Sequence, residues 1–243
     1  MDGVTRFYDR TGEFVAVLLG TAWQALAPAL TDALDGLDPA AGPVVDAGAG
    51  TGLGTRVIGD ALPDAEILAV EPDRALRTAL LARVAADPDL CARVTVLDTD
   101  LLGAPLPERI GGLVAMNVIG HFSPGDRATL WASLAQRLAP EGRAVLNLYP
   151  PTRPERVPAT PMSQVQLGRR RYSGSAAAEP AGDDAVTWEM SYRLEEDGQV
   201  LTEFSARDHW HVFTPEQLAG ELAPHGLRVT SGDAAQGIQV ITR

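Results

Sequence analysis

From Pro43 onward, short apolar runs alternate with helical stretches, and this alternation constrains the fold more than any other feature of the chain. Val44–Ala47, Ile67–Val70, Val94–Leu97 and residues 113–116 and 144–148 read as strands. Between them, residues 56–62 form a short helical stretch stopped at Pro63, and Ala75, Leu76, Ala79, Leu80 and Val84 recur at helical spacing. Ser123-Pro124-Gly125-Asp126 has the composition of a helix start, with a Ser cap, Pro in the first turn and an acid at the third position. Leu130, Leu134 and Leu138 follow on one face, and Pro140-Glu141-Gly142 closes the segment. Strands alternating with helices predict an α/β fold with a mostly parallel sheet covered on both faces.

The alternation ends after residue 149. Residues 150–184 are rich in Pro, Gly, Ala and Ser and read as a long loop or lid. Val186, Trp188, Met190, Tyr192 and Leu194 then alternate with polar residues, Glu195-Glu196-Asp197-Gly198 makes a turn, and residues 200–213 return as the second arm of an antiparallel hairpin. A Thr214-capped helix over 215–223 and two short strands at 227–230 and 238–241 complete the chain. The expected organisation is a single domain: N-terminal helices over 1–41, a core over 42–149, a lid insertion over 150–213 and a C-terminal helix and strands over 214–243.

In the N-terminal part, Phe14, Leu18, Ala22, Leu26 and Leu30 recur every four residues, and Pro28 marks a break or a new helix start. This reads as a buried helix pair. Residues 14–30 also raise a signal peptide or a membrane span. However, Asp2, Arg6, Asp9, Arg10 and Glu13 do not make a basic leader, and the stretch falls short of the ~20 apolar residues a span needs. No membrane association is expected, and a cytoplasmic location is. The chain carries 20 basic and 32 acidic residues, a net charge of −12. That balance disfavours nucleic acid and anionic membrane, because phosphate contacts need a basic surface. Every basic residue is Arg, so Schiff-base chemistry and a P-loop lysine are excluded. The single cysteine, Cys91, can form neither an internal disulfide nor a cysteine-rich zinc site, and no metal is expected.

The first strand runs into Asp46-Ala47-Gly48-Ala49-Gly50-Thr51-Gly52-Leu53-Gly54. Glycines here let the backbone approach a ligand, and the helix that follows offers free N–H groups. A dinucleotide fingerprint starting at Gly48 requires glycine where Leu53 stands, and one starting at Gly50 requires it where Thr55 stands.

The arrangement Asp46-x-Gly48-x-Gly50-x-Gly52 resembles the first motif of class I S-adenosylmethionine-dependent methyltransferases, and the resemblance extends in order over residues 42–149. It implies a Rossmann-like, seven-stranded, mostly parallel sheet whose last strand is antiparallel. It also implies S-adenosylmethionine as cofactor, held by Asp46, Gly48, Ala49, Gly50 and Gly52. Glu71, followed by Pro72 and Asp73, stands where the family places an acid on the ribose hydroxyls. Asp100 stands where it places a carboxylate against the adenine amine, with Leu101 beside the ring. Asn117-Val118-Ile119-Gly120-His121-Phe122 resembles the fourth motif, where the strand end meets cofactor and substrate. The lid resembles that of small-molecule methyltransferases, including sugar N-methyltransferases, and such lids also mediate homodimers.

Methyl transfer from a sulfonium is an in-line displacement in which the enzyme aligns the acceptor and excludes water. An amine acceptor needs only to be neutral, whereas a hydroxyl usually needs a general base. His121, after the fourth strand, reads as a base or acceptor-positioning group, or as a structural polar contact. Tyr149, at the end of the fifth strand, reads as a hydrogen-bond donor or as a ring closing the sheet edge. His209 shares a face with Arg207 and His211, pointing either into the cleft or into water. Arg169-Arg170-Arg171 could grip an anion or form a solvated patch. The expected function is methyl transfer to N or O of a small molecule, in biosynthesis. Two alternatives share the fold: a cyclase acting on the cofactor's aminobutyryl chain or on a bound substrate, and a non-catalytic cofactor-binding module.

Overall fold

A computed structural model describes the backbone of residues 2–243 and the side chains of residues 7–243. The chain divides into two compact units, Leu26–Pro150 with Phe213–Arg243, and Met1–Ala25 with Pro151–Val212.

The first unit is a seven-stranded sheet. Its strands are β1 (Val44–Ala47), β2 (Ile67–Val70), β3 (Val94–Leu97), β4 (Ile110–Ala115), β5 (Leu138–Asn147), β10 (Arg228–Ser231) and β11 (Ile238–Thr242), in the order β10-β11-β5-β4-β1-β2-β3. Strands β1 to β5 pair in parallel, while β11 pairs antiparallel with both β5 and β10. Every residue of β1 and β4 is buried, as the central strands of a sheet covered on both faces require. Helices α2 (Leu53–Ala61), α3 (Arg74–Ala85), α4 (Pro88–Arg93), α5 (Pro124–Arg137) and α6 (Pro215–Leu222) connect them. The strand order reverses between β1 and β4, which opens a crevice at their carboxyl ends where such sheets bind ligands.

The local signals read from sequence act as expected at the helix starts. Ser123 and Thr214 both form complete capping boxes, with Asp126 and Gln217 as reciprocal partners. One boundary differs. Helix α5 ends at Arg137, so Leu138 belongs to β5, and Pro140-Glu141-Gly142 lies within that strand at a register shift opposite Ile110 and Gly112. Gly142 is needed there, because a Cβ would stand 2.6 Å from the Gly111 carbonyl.

The N-terminal segment also departs from expectation. It is one 33-residue helix, α1 (Asp2–Leu34), that passes through Pro28, not a helix pair. Pro28 removes one ladder bond, but it lies on the exposed side while Leu26, Ala29, Leu30 and Leu34 beside it are buried. A four-residue repeat advances about 40° around a helix at each step, so the apolar stripe drifts from one face toward the other. Ala22, in the middle of the stripe, is exposed as a result. By length and composition Phe7–Leu34 could cross a membrane. In the folded chain Phe14 and Leu18 pack within the second unit, while Leu26, Leu30 and Leu34 are buried in the part assigned to the first.

The second unit carries a four-stranded antiparallel sheet of β6 (Val157–Leu167), β7 (Arg170–Pro180), β8 (Ala185–Glu196) and β9 (Gln199–His211), in sequence order. The hairpin expected over 186–213 is β8 and β9. The segment expected to be a loop over 150–184 instead supplies β6 and β7. Its prolines are tolerated because β6 is an edge strand with register shifts around Pro158 and Pro161. Its small residues are needed because the sheet is crowded there: a Cβ on Gly174 would meet Met162 Cε at 2.5 Å and Leu18 Cδ1 at 3.3 Å. Phe14 and Leu18 of α1 pack with Tyr172, Tyr192 and Leu194 on one face of this sheet. The Tyr172 hydroxyl donates to Glu13 at 2.7 Å. Arg170 and Arg171 pair across β7–β8 with Glu196 and Glu195, and Arg169 pairs with Asp197. The arginine run therefore ties down the acidic turn beside it.

Candidate active site

The turn leaving β1 is built on glycine for a reason visible at each position. Gly48, Gly50 and Gly52 all have positive φ, at 63°, 58° and 84°. A Cβ on Gly48 would fall 2.5 Å from Val118 Cγ2, and one on Gly52 would fall 2.8 Å from Leu80 Cδ1. Gly50 differs. A Cβ there would meet nothing closer than the Gly48 carbonyl at 3.8 Å, so open space lies against the backbone at the tip of the turn. This is the cradle a nucleoside-type ligand requires. Ala49 packs downward with Ala69, Leu80 and Val84, and its amide donates to the Val70 carbonyl.

Two buried carboxylates hold the turn. Asp46 lies at 3% exposure beneath it and accepts the Thr55 hydroxyl at 2.6 Å, linking β1 to the first turn of α2. Burial pushes its carboxyl up to about 6, with the Thr55 bond opposing the rise. Glu71, just past β2, accepts the Gly50 amide on Oε2 at 2.7 Å and the Asp73 amide on Oε1 at 2.8 Å. Burial raises it to about 7 against those two bonds, and the charges of Asp73 and Asp46 add to the rise. Each Glu71 oxygen keeps a second lone pair, so the carboxylate can still accept hydroxyl donors. Asp73 caps α3 through Oδ1, while its buried Oδ2 has no hydrogen-bond partner among the described residues. Arginines brace the surround: Arg83 donates to the Thr51 carbonyl, and Arg77 donates to the carbonyls of Glu71 and Pro72, which is itself exposed.

Past β3, Asp100 is half-buried and its Oδ1 accepts the Gly103 amide at 2.9 Å. Leu101 is buried in the main core beside Val70 and Ile119. Past β4, Asn117 holds a left-handed backbone at φ 56°. Its amide donates to Asn147 Oδ1 at 2.7 Å, and its own Oδ1 accepts from Asn147 Nδ2 at 2.9 Å. The next residues form a 3-10 turn, Ile119–His121. His121 is half-buried there, and loss of solvation pushes its imidazole down to about 4, so it is neutral at pH 7. Tyr149 follows β5 with half of its surface exposed.

The structure thus brings Asp46, Gly48, Ala49, Gly50, Gly52 and Glu71 together around one turn, and places Asn117 and His121 after the neighbouring strand. His209 belongs to β9 in the second unit. It is exposed, edge-on to His211 at 5.1 Å, and on the opposite side of its strand from buried Asp208. Two residues were not singled out from sequence. Thr55 carries a readable signal, a hydroxyl in the first helical turn after the glycines. Asn147 carries none, because its partner lies thirty positions away in the chain. Among the described residues, no group of three or more His, Cys, Asp or Glu side chains could hold a metal ion.

Residues 45–144, from β1 into β5, match the family described as a methyltransferase domain. Over that stretch the core of this chain is similar to methyltransferase domains. Similar solved structures hold S-adenosylmethionine, and the open glycine turn beside Glu71 has room for a nucleoside. Among solved structures, an S-adenosylmethionine-bound amino pentose methyltransferase of calicheamicin biosynthesis from Micromonospora echinaspora is similar with a TM-score of 0.73 and 19% identity, covering 91% of each chain. A sugar N-methyltransferase from Streptoalloteichus sp. is similar with a TM-score of 0.69 and 20% identity, covering 91% of this chain and 87% of that one. A glycopeptide N-methyltransferase complexed with sinefungin is similar with a TM-score of 0.56 and 21% identity, covering 88% and 90%. At such identities the likeness shows the fold. No curated protein matches the sequence.

Proposed function

We propose that the protein transfers the methyl group of S-adenosylmethionine to the nitrogen of a small-molecule amine, of the amino-sugar class, in a biosynthetic route. The observation that carries methyl transfer is the Gly50 turn, open above its backbone and held from below by Glu71 at 2.7 Å. When bound, the cofactor supplies an electrophilic methyl group on its sulfonium. Glu71 and Asp100 would hold its ribose and adenine, while Asp46 shapes the turn from beneath through Thr55. The choice of nitrogen is supported by His121, whose imidazole at about 4 is neutral but weakly basic. Such a group suits an acceptor that needs only to be uncharged better than an alcohol, which needs a strong base. Three solved neighbours named for amino-sugar, sugar or glycopeptide methylation support the same class. The acidic chain supports small molecules over nucleic acid, and Tyr149, His121 and His209 are the acceptor-side candidates. A cytoplasmic homodimer belongs to the same reading.

The test is incubation with S-adenosylmethionine and a panel of amino sugars, with products identified by mass. S-adenosylhomocysteine and an N-methylated product are expected. Methylthioadenosine formed without acceptor would replace this reading with self-cyclisation.

A further inference from the structure

The two edges of the four-stranded sheet in the second unit differ. Strand β6 carries Pro158 and Pro161 around its register shifts, and proline cannot donate to a further strand. Strand β9 is 13 residues long, contains no proline and pairs only with β8. The other side of its backbone has no strand partner among the described residues. An open edge of that kind is a template for another strand.

The side chains along β9 show which strand fits. Glu203, Ser205, Arg207 and His209 share its exposed face, and Val200 and Leu201 are exposed just before them. Phe204, Ala206 and Asp208, opposite Tyr192, Met190 and Trp188 of β8, are half-buried or buried. On the exposed face Glu203 stands across from Arg193, Ser205 from Ser191 and Arg207 from Glu189. Arg207 gives Nε and Nη2 to Glu189 at 3.2 and 3.0 Å, and Arg193 is engaged with Glu195 at 3.1 Å. Glu203 makes no ion pair among the described residues. A two-fold interface needs a surface complementary to itself. Antiparallel pairing of β9 with β9 of a second copy, centred on Ser205, sets Glu203 opposite Arg207 of that copy, and Arg207 opposite its Glu203. The row across the joint then reads Arg193, Glu203, and Arg207 and Glu189 of the second copy, alternating in sign at each step. Centring on Glu203 or on Arg207 sets like charges face to face, and centring on Phe204 or Ala206 pairs neither.

We propose that the free edge of β9 joins two copies of this chain in the register centred on Ser205, making one continuous sheet. The inference deepens the homodimer reading above by naming its surface, and it requires nothing of methyl transfer.

Sedimentation velocity of the full chain over a concentration series tests it, with thermal unfolding to confirm that each variant folds. Wild type should be dimeric at micromolar concentration. Arg207→Glu and Glu203→Arg should each weaken the dimer about tenfold or more, and the two together should restore it to within about threefold, because the swap keeps opposite charges across the joint. In a Cys91→Ser background, Ser205→Cys should cross-link two copies under mild oxidation, since directly opposed strand residues lie within disulfide reach. Thr187→Cys, on the neighbouring strand, should not. A monomeric wild type overturns both the interface and the homodimer reading. A dimer that neither single charge variant weakens, or that Ser205→Cys fails to cross-link, overturns the β9 assignment alone.

Discussion

The carboxamide of Asn147 grips Asn117 twice, accepting its main-chain amide at 2.7 Å and donating to its side-chain oxygen at 2.9 Å. Asn147 is buried at the end of β5, and Asn117 stands in a left-handed conformation at the end of β4. The pair stitches together two adjacent strand ends where the crevice opens. It also compensates for a backbone geometry that is rare outside glycine.

Asn147→Leu should therefore leave the Asn117 amide and carbonyl unsatisfied, at a cost of about 2–3 kcal/mol. Asn147→Asp keeps the acceptor but sets an oxygen against Asn117 Oδ1, so it should destabilise as well. Denaturant unfolding measures both, and wild-type stability in either variant would show that the pair is dispensable.

Gly48 and Gly50 should separate folding from binding. Gly48→Ala drives a methyl into Val118 at 2.5 Å, so it should lower Tm sharply. Gly50→Ala meets nothing within 3.8 Å and carries only the strain of its φ, about 1 kcal/mol. That variant should fold and yet lose S-adenosylhomocysteine affinity by tenfold or more in calorimetry. Unimpaired binding by Gly50→Ala would remove the open turn from the site.

Glu71 should make cofactor affinity depend on pH. In the free protein it titrates at about 7. Hydroxyl donors favour its charged form, so binding lowers its pKa and releases a proton. Affinity should then fall as pH drops from 8 to 6, and Glu71→Gln should be weaker but nearly flat over that range. Calorimetry in two buffers of different ionisation enthalpy checks the proton release.

Asp46 and Glu71 together set the sign of stability against pH. Both are raised by burial, from ordinary values near 4 to about 6 and about 7. Their stabilising contribution is therefore fully present below about pH 4 and is lost as pH rises through 6 to 7. A tenfold gain in proton affinity on folding corresponds to about 1.4 kcal/mol. Between pH 5 and 8 the Tm of the ligand-free protein should decline, and Asp46→Asn should reduce the slope. A slope unchanged by that substitution would contradict the assignment.

Arg127 tests a different part of the fold. Its side chain is buried, sits 4.1 Å over the Phe213 ring and bonds Glu221, which also accepts from the Trp131 indole at 2.9 Å. Arg127→Met should cost about 3 kcal/mol by leaving Glu221 uncompensated, and Arg127→Met with Glu221→Leu should recover much of it. Additive losses in the double variant would show that the two residues act independently.

The alternation of strands and helices over 44–148, the helix caps at Ser123 and Thr214 and the glycine turn were all legible, because each rests on contacts within a few residues. The β6–β7 pair was not legible. Pro158, Pro161, Gly174 and a run of Ala and Ser carry no periodicity, and those strands exist because β8 offers them a paired edge and α1 packs on the sheet. The Pro28 break failed for a related reason. Propensity counts the lost ladder bond, but burial of Leu26, Leu30 and Leu34 outweighs it.

By itself, then, the sequence determined the strand–helix alternation over 44–148, the glycine turn after β1 and the acids that follow β2 and β3. Periodicity, steric permission and capping are local properties of the chain. The tertiary structure alone decided that Asn147 supports Asn117, that Arg169, Arg170 and Arg171 are spent on Asp197, Glu196 and Glu195, and that Asp208 faces aromatic rings while His209 faces water. These relationships depend on strand register and on which face is buried. A one-residue slip in register would reverse every one of those faces, and register is fixed by packing between segments far apart in the chain.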